Sequence, residues 1–266
     1  MNSIKIFSDW LHFVFLHEKQ IELYVDRIPG NIPPKNTIRF LFLAEPPEIE
    51  NLIQPALLAY NQGRINYLIT HNEFLLKECK NSVNFPLAGT WIQNYDFPQK
   101  EFAVSTLLGG KRKAPGHLLR FDLWQAENQI SKIKTNFFTS GNQPPPAHLY
   151  NSKHPVLGDK KEPLFDSQFS IVIENARRNN WFTEKVIDAF QTKTVPIYWG
   201  CPNISQWFDI RGMLMCENLS DLIDACNNLN CKTYEKMLPY VEQNYLKSMN
   251  FVSTTERLIK IIKERV

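Results

Sequence analysis

Two basic turns and one acidic strand end hold the residues whose types and spacing could do chemistry. The richest is Glu174-Asn175-Ala176-Arg177-Arg178-Asn179-Asn180-Trp181-Phe182-Thr183-Glu184-Lys185, which separates an apolar run from an amphipathic one. Thr183 fits a helix N-cap, so Glu184 and Lys185 fall in the first turn. A lysine there opposes the macrodipole at a cost of about 0.3–1 kcal/mol, and Arg177 and Arg178 add cations beside it. Cations gathered at a helix N-terminus, next to free backbone N–H groups, describe an anion site. Stripped of its surroundings, the same run also reads as a solvated charged loop. The second cluster is Gly109-Gly110-Lys111-Arg112-Lys113-Ala114-Pro115-Gly116-His117-Leu118-Leu119-Arg120. Its glycines permit close backbone approach, Lys111 supplies charge and Arg120 can grip a phosphate bidentately. A basic surface turn is the plainer alternative. Taken together, the two clusters suggest a diphosphate held by the C-terminal half. The third feature is Glu45, which ends an apolar run. A carboxylate there could act as a general base, with partial burial raising its pKa toward neutrality. It could equally be a strand-terminating acid like Glu48 and Glu50.

Several chemistries lack their residues. Gly110-Lys111 is followed by Arg112, so the second cluster is no P-loop, and no G-x-G-x-x-G occurs. No D-x-D offers the Asp pair that holds a metal–nucleotide complex, so no metal is expected. The six histidines form no zinc-type spacing, and no nucleophile motif is present.

The elements that must position these groups alternate. Ile4–Phe7, Ile21–Val25, Arg39–Leu43 and Tyr67–Ile69 read as strands, with helices over Ile49–Tyr60 and, capped by Thr70 or Asn72, up to Lys77. Ala103–Leu108, Ile133–Phe138, Phe169–Ile173, Val195–Trp199 and Met213–Cys216 form a second strand series. Helices are expected from Gly116 to Ile130, Thr183 to Gln191, Ser220 to Leu229 and Tyr234 to Leu246. Ser253-x-x-Glu256 is a capping box opening a last helix. Thr139–Pro163, with Pro144-Pro145-Pro146, reads as a long loop. Phe169 through Trp199 is a strand–helix–strand unit. Two α/β lobes follow, residues 1–100 and 101–252. The helix at 253–266 either packs back on the first lobe or makes a weak peripheral contact with anionic lipid through Arg257, Lys260, Lys263 and Arg265. Ligands belong at the carboxyl ends of the strands.

Composition agrees with this reading. A chain of 266 residues with 43% hydrophobic content is long enough for two domains and too apolar for global disorder. A net charge of +3 gives no support to nucleic-acid binding. Five cysteines without a C-x-x-C pair suit free thiols in a reducing compartment. The apolar stretches Trp10–Leu16 and Ile38–Ala44 fall short of the roughly 20 residues that span a bilayer, and no secretory signal is read, so a cytoplasmic location is expected.

Phe169–Phe208, "FSIVIENARRNNWFTEKVIDAFQTKTVPIYWGCPNISQWF", resembles the signature block of the α-1,3/4-fucosyltransferases, glycosyltransferase family 10. Val104–Trp124, with its "GH-x-x-R", and Leu43–Pro47, "LAEPP", are similar to the family more weakly. The resemblance implies a GT-B fold, two Rossmann-like lobes with a cleft between them. It implies inverting transfer of L-fucose from GDP-fucose to a hydroxyl of a glycan acceptor, with no obligatory metal. By this resemblance Glu45 matches the base, and Arg120 and Lys185 match the diphosphate ligands. Thr183 and Glu184, in the Thr183-Glu184-Lys185 run, and Glu174 and Asn175, in the Glu-Asn pair, match donor contacts, and Lys160 or Lys161 aligns with a donor-side lysine. Trp181 stands where the family has tyrosine, keeping a stacking surface and losing the phenol. The resemblance puts the acceptor on the lobe of residues 1–100, which is lean for the fold, and the nucleotide sugar on the lobe of residues 101–252. The alternatives are the same chemistry with another sugar-nucleotide donor, or a non-catalytic carbohydrate-binding relic.

Overall fold

The computed structural model describes residues 4–7, 20–149, 151 and 153–266. The Trp10–Leu16 stretch lies outside them. Two compact units emerge, one built from 1–87, 178–181 and 253–266, the other from 88–177 and 182–252.

The first unit is a parallel sheet in the order β1 (Ile4–Phe7), β2 (Gln20–Val25), β3 (Thr37–Leu43), β4 (Tyr67–Thr70) and β5 (Ser82–Asn84). Side chains alternate across β3, as period 2 requires. Phe40 and Phe42 join one cluster with Leu258 and Ile262 of the C-terminal helix α7 (Thr254–Lys263). Leu41 and Leu43 join another with Ala56 of helix α1 (Ile53–Asn61) and Leu75 of α2 (Glu73–Glu78). Both faces are therefore covered, which explains why β3 is apolar nearly throughout. Its one charge, Arg39, sits opposite Glu22 in the register and pairs with it at 2.6 Å, both side chains buried. Asn72, of the two expected caps, is the one that caps α2, accepting from Leu75 N at 3.0 Å.

The second unit holds β6 (Glu101–Leu108), β7 (Lys134–Ser140), β8 (Val156–Leu157), β9 (Ser167–Ile173), β10 (Val195–Trp199) and β11 (Leu214–Met215). All pair in parallel, in the order β11-β10-β9-β6-β7-β8. That is the doubly wound dinucleotide-fold order, which reverses direction between β6 and β9. Helices α3 (Pro115–Gln125) and α5 (Leu219–Asn227) pack with Phe169, Ile171 and Ile173 on one face. Helix α4 (Glu184–Gln191) packs with Val172 and Tyr198 on the other. Helix α6 (Cys231–Ser248) completes the unit.

Boundaries depart from the sequence reading in definable ways. The units divide at Leu87/Ala88, not near 100, and the four residues Arg178–Trp181 go with the first unit. The helix expected from Ile49 starts at Ile53, because the Pro46–Leu52 stretch is spent on turns that include Ile49 N to Pro46 O at 2.9 Å. The helix expected to reach Ile130 ends at Gln125 and tightens into a single 3-10 turn. The 139–163 loop contains the short strand β8, which a two-residue ladder with β7 leaves without a sequence pattern of its own.

Candidate active site

The reversal point of the second sheet opens a cavity of about 260 Å³, lined among others by Gly109, Lys111, Arg120, Lys161, Asn175, Glu184 and Lys185. Topology accounts for its place: adjacent strands whose connections diverge leave a crevice beyond their carboxyl ends. The β6–α3 turn brings Lys111 there and α3 itself Arg120; the β9–α4 turn brings Asn175 and the start of α4 Glu184 and Lys185.

Close packing holds the two turns together. Gly116 N donates to Asn175 O at 2.9 Å. A Cβ on Gly116 would lie 1.7 Å from Glu174 O, so no other residue fits without moving β9. Arg120 is aimed by the end of the same strand. Its Nε donates to Ile173 O at 3.1 Å and its Nη2 to Asn175 Oδ1 at 3.0 Å. Burial lowers the Arg120 pKa to about 10, with Glu174 and Glu184 opposing, so the guanidinium stays charged. For Lys185, burial is outweighed by Glu184 and Glu174, and its pKa rises. Its Nζ lies 2.7 Å from Glu184 Oε1, and Glu184 is held below the usual carboxylate range, burial notwithstanding, by Lys185. Burial holds Lys161 below the ordinary lysine range. His117 is pushed down to about 4 by burial and then by Arg120, Lys111 and Lys185, so the ring is neutral. Its Nδ1 accepts from Ala114 N at 3.0 Å, which fixes the tautomer with the proton on Nε2. Four cationic side chains thus face the cavity against two acids, Glu184 and Asp188. That surplus suits a bound polyanion.

Glu174 and Thr183, expected at the donor, support the site from beneath. Glu174 is fully buried, its oxygens accepting from Thr183 N at 2.9 Å and Thr183 Oγ1 at 2.6 Å. Thr183 in turn caps α4 by accepting from Lys185 N, so the start of the helix is clamped to the end of β9. Three other expected residues are elsewhere. Trp181 is completely buried in the first unit, its indole N–H donating to Ala44 O at 3.0 Å, and presents no face for stacking. A fully enclosed indole must spend its N–H on protein. Arg177 pairs with Glu217 at 2.8 Å, and Lys160 is exposed while its neighbour Lys161 reaches the cavity.

Asp188 and Trp91 also line the cavity, and sequence reasoning passed them over. Asp188 accepts from Thr90 Oγ1 at 2.6 Å and Trp91 N at 2.8 Å, and burial raises its pKa to about 7. The available signal was an acid on the otherwise apolar face of α4, four residues after Glu184.

Glu45 lies just beyond β3 in the first unit. With Asp26, Glu50 and His71 it lines a cavity of about 10 Å³. His71 is held neutral by burial, its pKa pushed to about 4.

No family model matches the chain. A 109-residue stretch, 40% of this chain, is 28% identical to the alpha-(1,3)-fucosyltransferase FucT of Helicobacter pylori. The match spans 23% of that relative's length. Among solved structures, an alpha1,3-fucosyltransferase with GDP superposes with a TM-score of 0.57 at 16% identity, covering 96% of this chain and 90% of that one. The pneumococcal O-GlcNAc transferase GtfA, in complex with UDP and GlcNAc, gives 0.56 at 12% identity over 91% of this chain and 56% of that one. The fold is that of the GT-B glycosyltransferases, carried here by two parallel α/β units. Among the described residues, no helix is long and apolar enough to cross a membrane.

Proposed function

We propose that this protein is an inverting glycosyltransferase that moves L-fucose from GDP-fucose to a hydroxyl of a glycan acceptor. The observation that carries the reading is the pairing of Arg120 and Lys185 in one cavity at the sheet reversal, on the Glu-Asn and Thr-Glu-Lys frame. The matched relative is a fucosyltransferase, and the fold is shared with a fucosyltransferase holding GDP.

In this reading the donor's diphosphate lies against Arg120 and Lys185, with Lys161 and Lys111 contributing charge. As the glycosidic bond breaks, the departing GDP gains negative charge. Fixed cations and the N-terminal N–H groups of α4 stabilise that charge without reorganising. They do so with no obligatory metal. Glu184 orients the donor through the lysine it holds. Glu45 takes the proton of the acceptor hydroxyl as oxygen attacks the anomeric carbon from the face opposite GDP, which inverts the configuration.

The test is a nucleotide panel followed by a transfer assay. GDP and GDP-fucose raise the melting temperature, UDP does not, and fucose appears on an oligosaccharide carrying the new linkage. A shift with UDP and none with GDP would replace the donor. Binding of GDP-fucose without transfer or hydrolysis would leave a carbohydrate-binding relic.

A further inference from the structure

The far end of β2 contains a residue that the proposed reaction leaves unexplained. Asp26 follows Val25 with φ of 47°, in the left-handed region. A non-glycine residue pays roughly 1–2 kcal/mol for that conformation, and Asp tolerates it because its short side chain can bond locally. Asp26 N donates to Phe42 O at 2.9 Å, one bond past the β2–β3 ladder. Its carboxylate then takes over where backbone pairing stops. Oδ1 accepts from Ala44 N at 2.8 Å and from Glu45 N at 3.3 Å. The peptide that presents Glu45 is thus pinned by a side chain rather than by a strand.

Glu45 and Asp26 also line the same small cavity, whose volume of about 10 Å³ is near the size of one water. From the turn before α1, Glu50 faces it, and from the β4–α2 turn, neutral His71. Arg178 is the charge that bears on His71.

We infer that Asp26 is a positioning residue for Glu45, holding its backbone and setting the electrostatic field at its carboxyl. The inference rests on the reading of Glu45 as base. Burial pushes the Asp26 pKa up to about 7, the Ala44 and Glu45 N–H groups oppose, and the Glu45 and Glu50 charges add to the rise. The two carboxyl groups share one field, in which each charge makes the other harder to form. A neighbouring negative charge makes Glu45 the stronger base; an uncharged neighbour makes it a weaker one.

Two variants separate position from charge. Asp26→Ala removes the acceptor for both N–H groups. It should lower kcat about 10–100-fold, the lower range for a misplaced acid–base group, with the GDP dissociation constant unchanged. Asp26→Asn keeps an acceptor oxygen and should recover most of that loss. It should also flatten the rise in kcat that ionisation of Asp26 adds near pH 7, because the Asp26 charge strengthens Glu45 only above that point. Wild-type turnover in Asp26→Ala overturns the inference. So does an Asp26→Asn variant as weak as Asp26→Ala with that rise still present. A readout free of turnover covers the case in which the wild type transfers no fucose, which would end the proposed function alone. The carbon-13 titration of the Asp26 carboxyl is expected to have its midpoint near 7 and to fall in Glu45→Gln if the two groups share a field; an unmoved midpoint overturns the coupling.

Discussion

The two units use the same materials, parallel strands with helices on both faces, and arrive at opposite chemistry. In the second unit the strand order reverses between β6 and β9, and that reversal by itself makes a crevice. Turns and helices on either side of it bring Lys111, Arg120, Lys161 and Lys185 to a cavity of about 260 Å³. In the first unit the order runs β1 to β5 without reversal. Its acidic pocket at the end of β3 is a small one, holding Asp26, Glu45 and Glu50 beside a neutral His71. A reversal gathers cations from several segments into one crevice. Where the order does not reverse, the chain at one strand end is fixed one hydrogen bond at a time.

The comparison predicts that damage to each unit is read by a different measurement. Glu45→Gln has the largest expected effect, a loss of about 10²–10⁴-fold in turnover from removing a general base. GDP affinity by calorimetry stays at the wild-type value. A joint loss of binding and turnover would break the separation. Lys185→Ala comes next. Losing one charge-assisted contact, about 1.5–3 kcal/mol, should weaken GDP binding about 10–100-fold, and calorimetry that finds no change would remove Lys185 from the donor site. Gly116→Ala should lower stability by about 1–3 kcal/mol, the usual range for overpacking, because its Cβ meets Glu174 O. Chemical denaturation measures this, and GDP binding should fall with it while the Asp26 carboxyl titration stays put.

Asp188→Asn sharpens the comparison through pH. The Asp188 pKa is raised to about 7 from 3.8, so between those values the folded state binds more protons than the unfolded one. Wild-type stability from this group therefore falls as pH rises through that window. Asn avoids that loss and can still accept from Thr90 and Trp91. The variant should gain on wild type by roughly 1–3 kcal/mol at pH 8, because each tenfold change in proton affinity is worth about 1.4 kcal/mol. The gap should close toward pH 4. A constant gap in melts from pH 4 to 8 would show that Asp188 does not titrate in that window.

Local patterns made much of this legible. Apolar runs placed most strands of both sheets, since a strand covered on both faces must be apolar along its length. Helix starts at Asn72, Thr183 and Ser253 followed from single capping residues, because the unpaired N–H groups of a helix start are met within three positions. Clusters of cations between an apolar run and a helical one located both segments at the sheet reversal, and "GH-x-x-R" and "TEK" located Arg120, Glu184 and Lys185. These features lie within a few bonds of their cause.

What the sequence left open depends on residues far apart in the chain. Whether Lys160 or Lys161 faces the cavity is set by the turn before β9, and composition treats them alike. Trp181 reads as a stacking residue until its ring is seen buried, donating to Ala44 O, 137 positions away. Asp26 has no motif at all: its importance comes from accepting Ala44 and Glu45 N–H groups some 18 and 19 residues on. Residue type and spacing thus determined the strands, the caps and the cations. Only tertiary structure decided which polar groups are spent supporting the chain and which are left to meet a ligand, because that choice is made by burial and by distant hydrogen-bond partners.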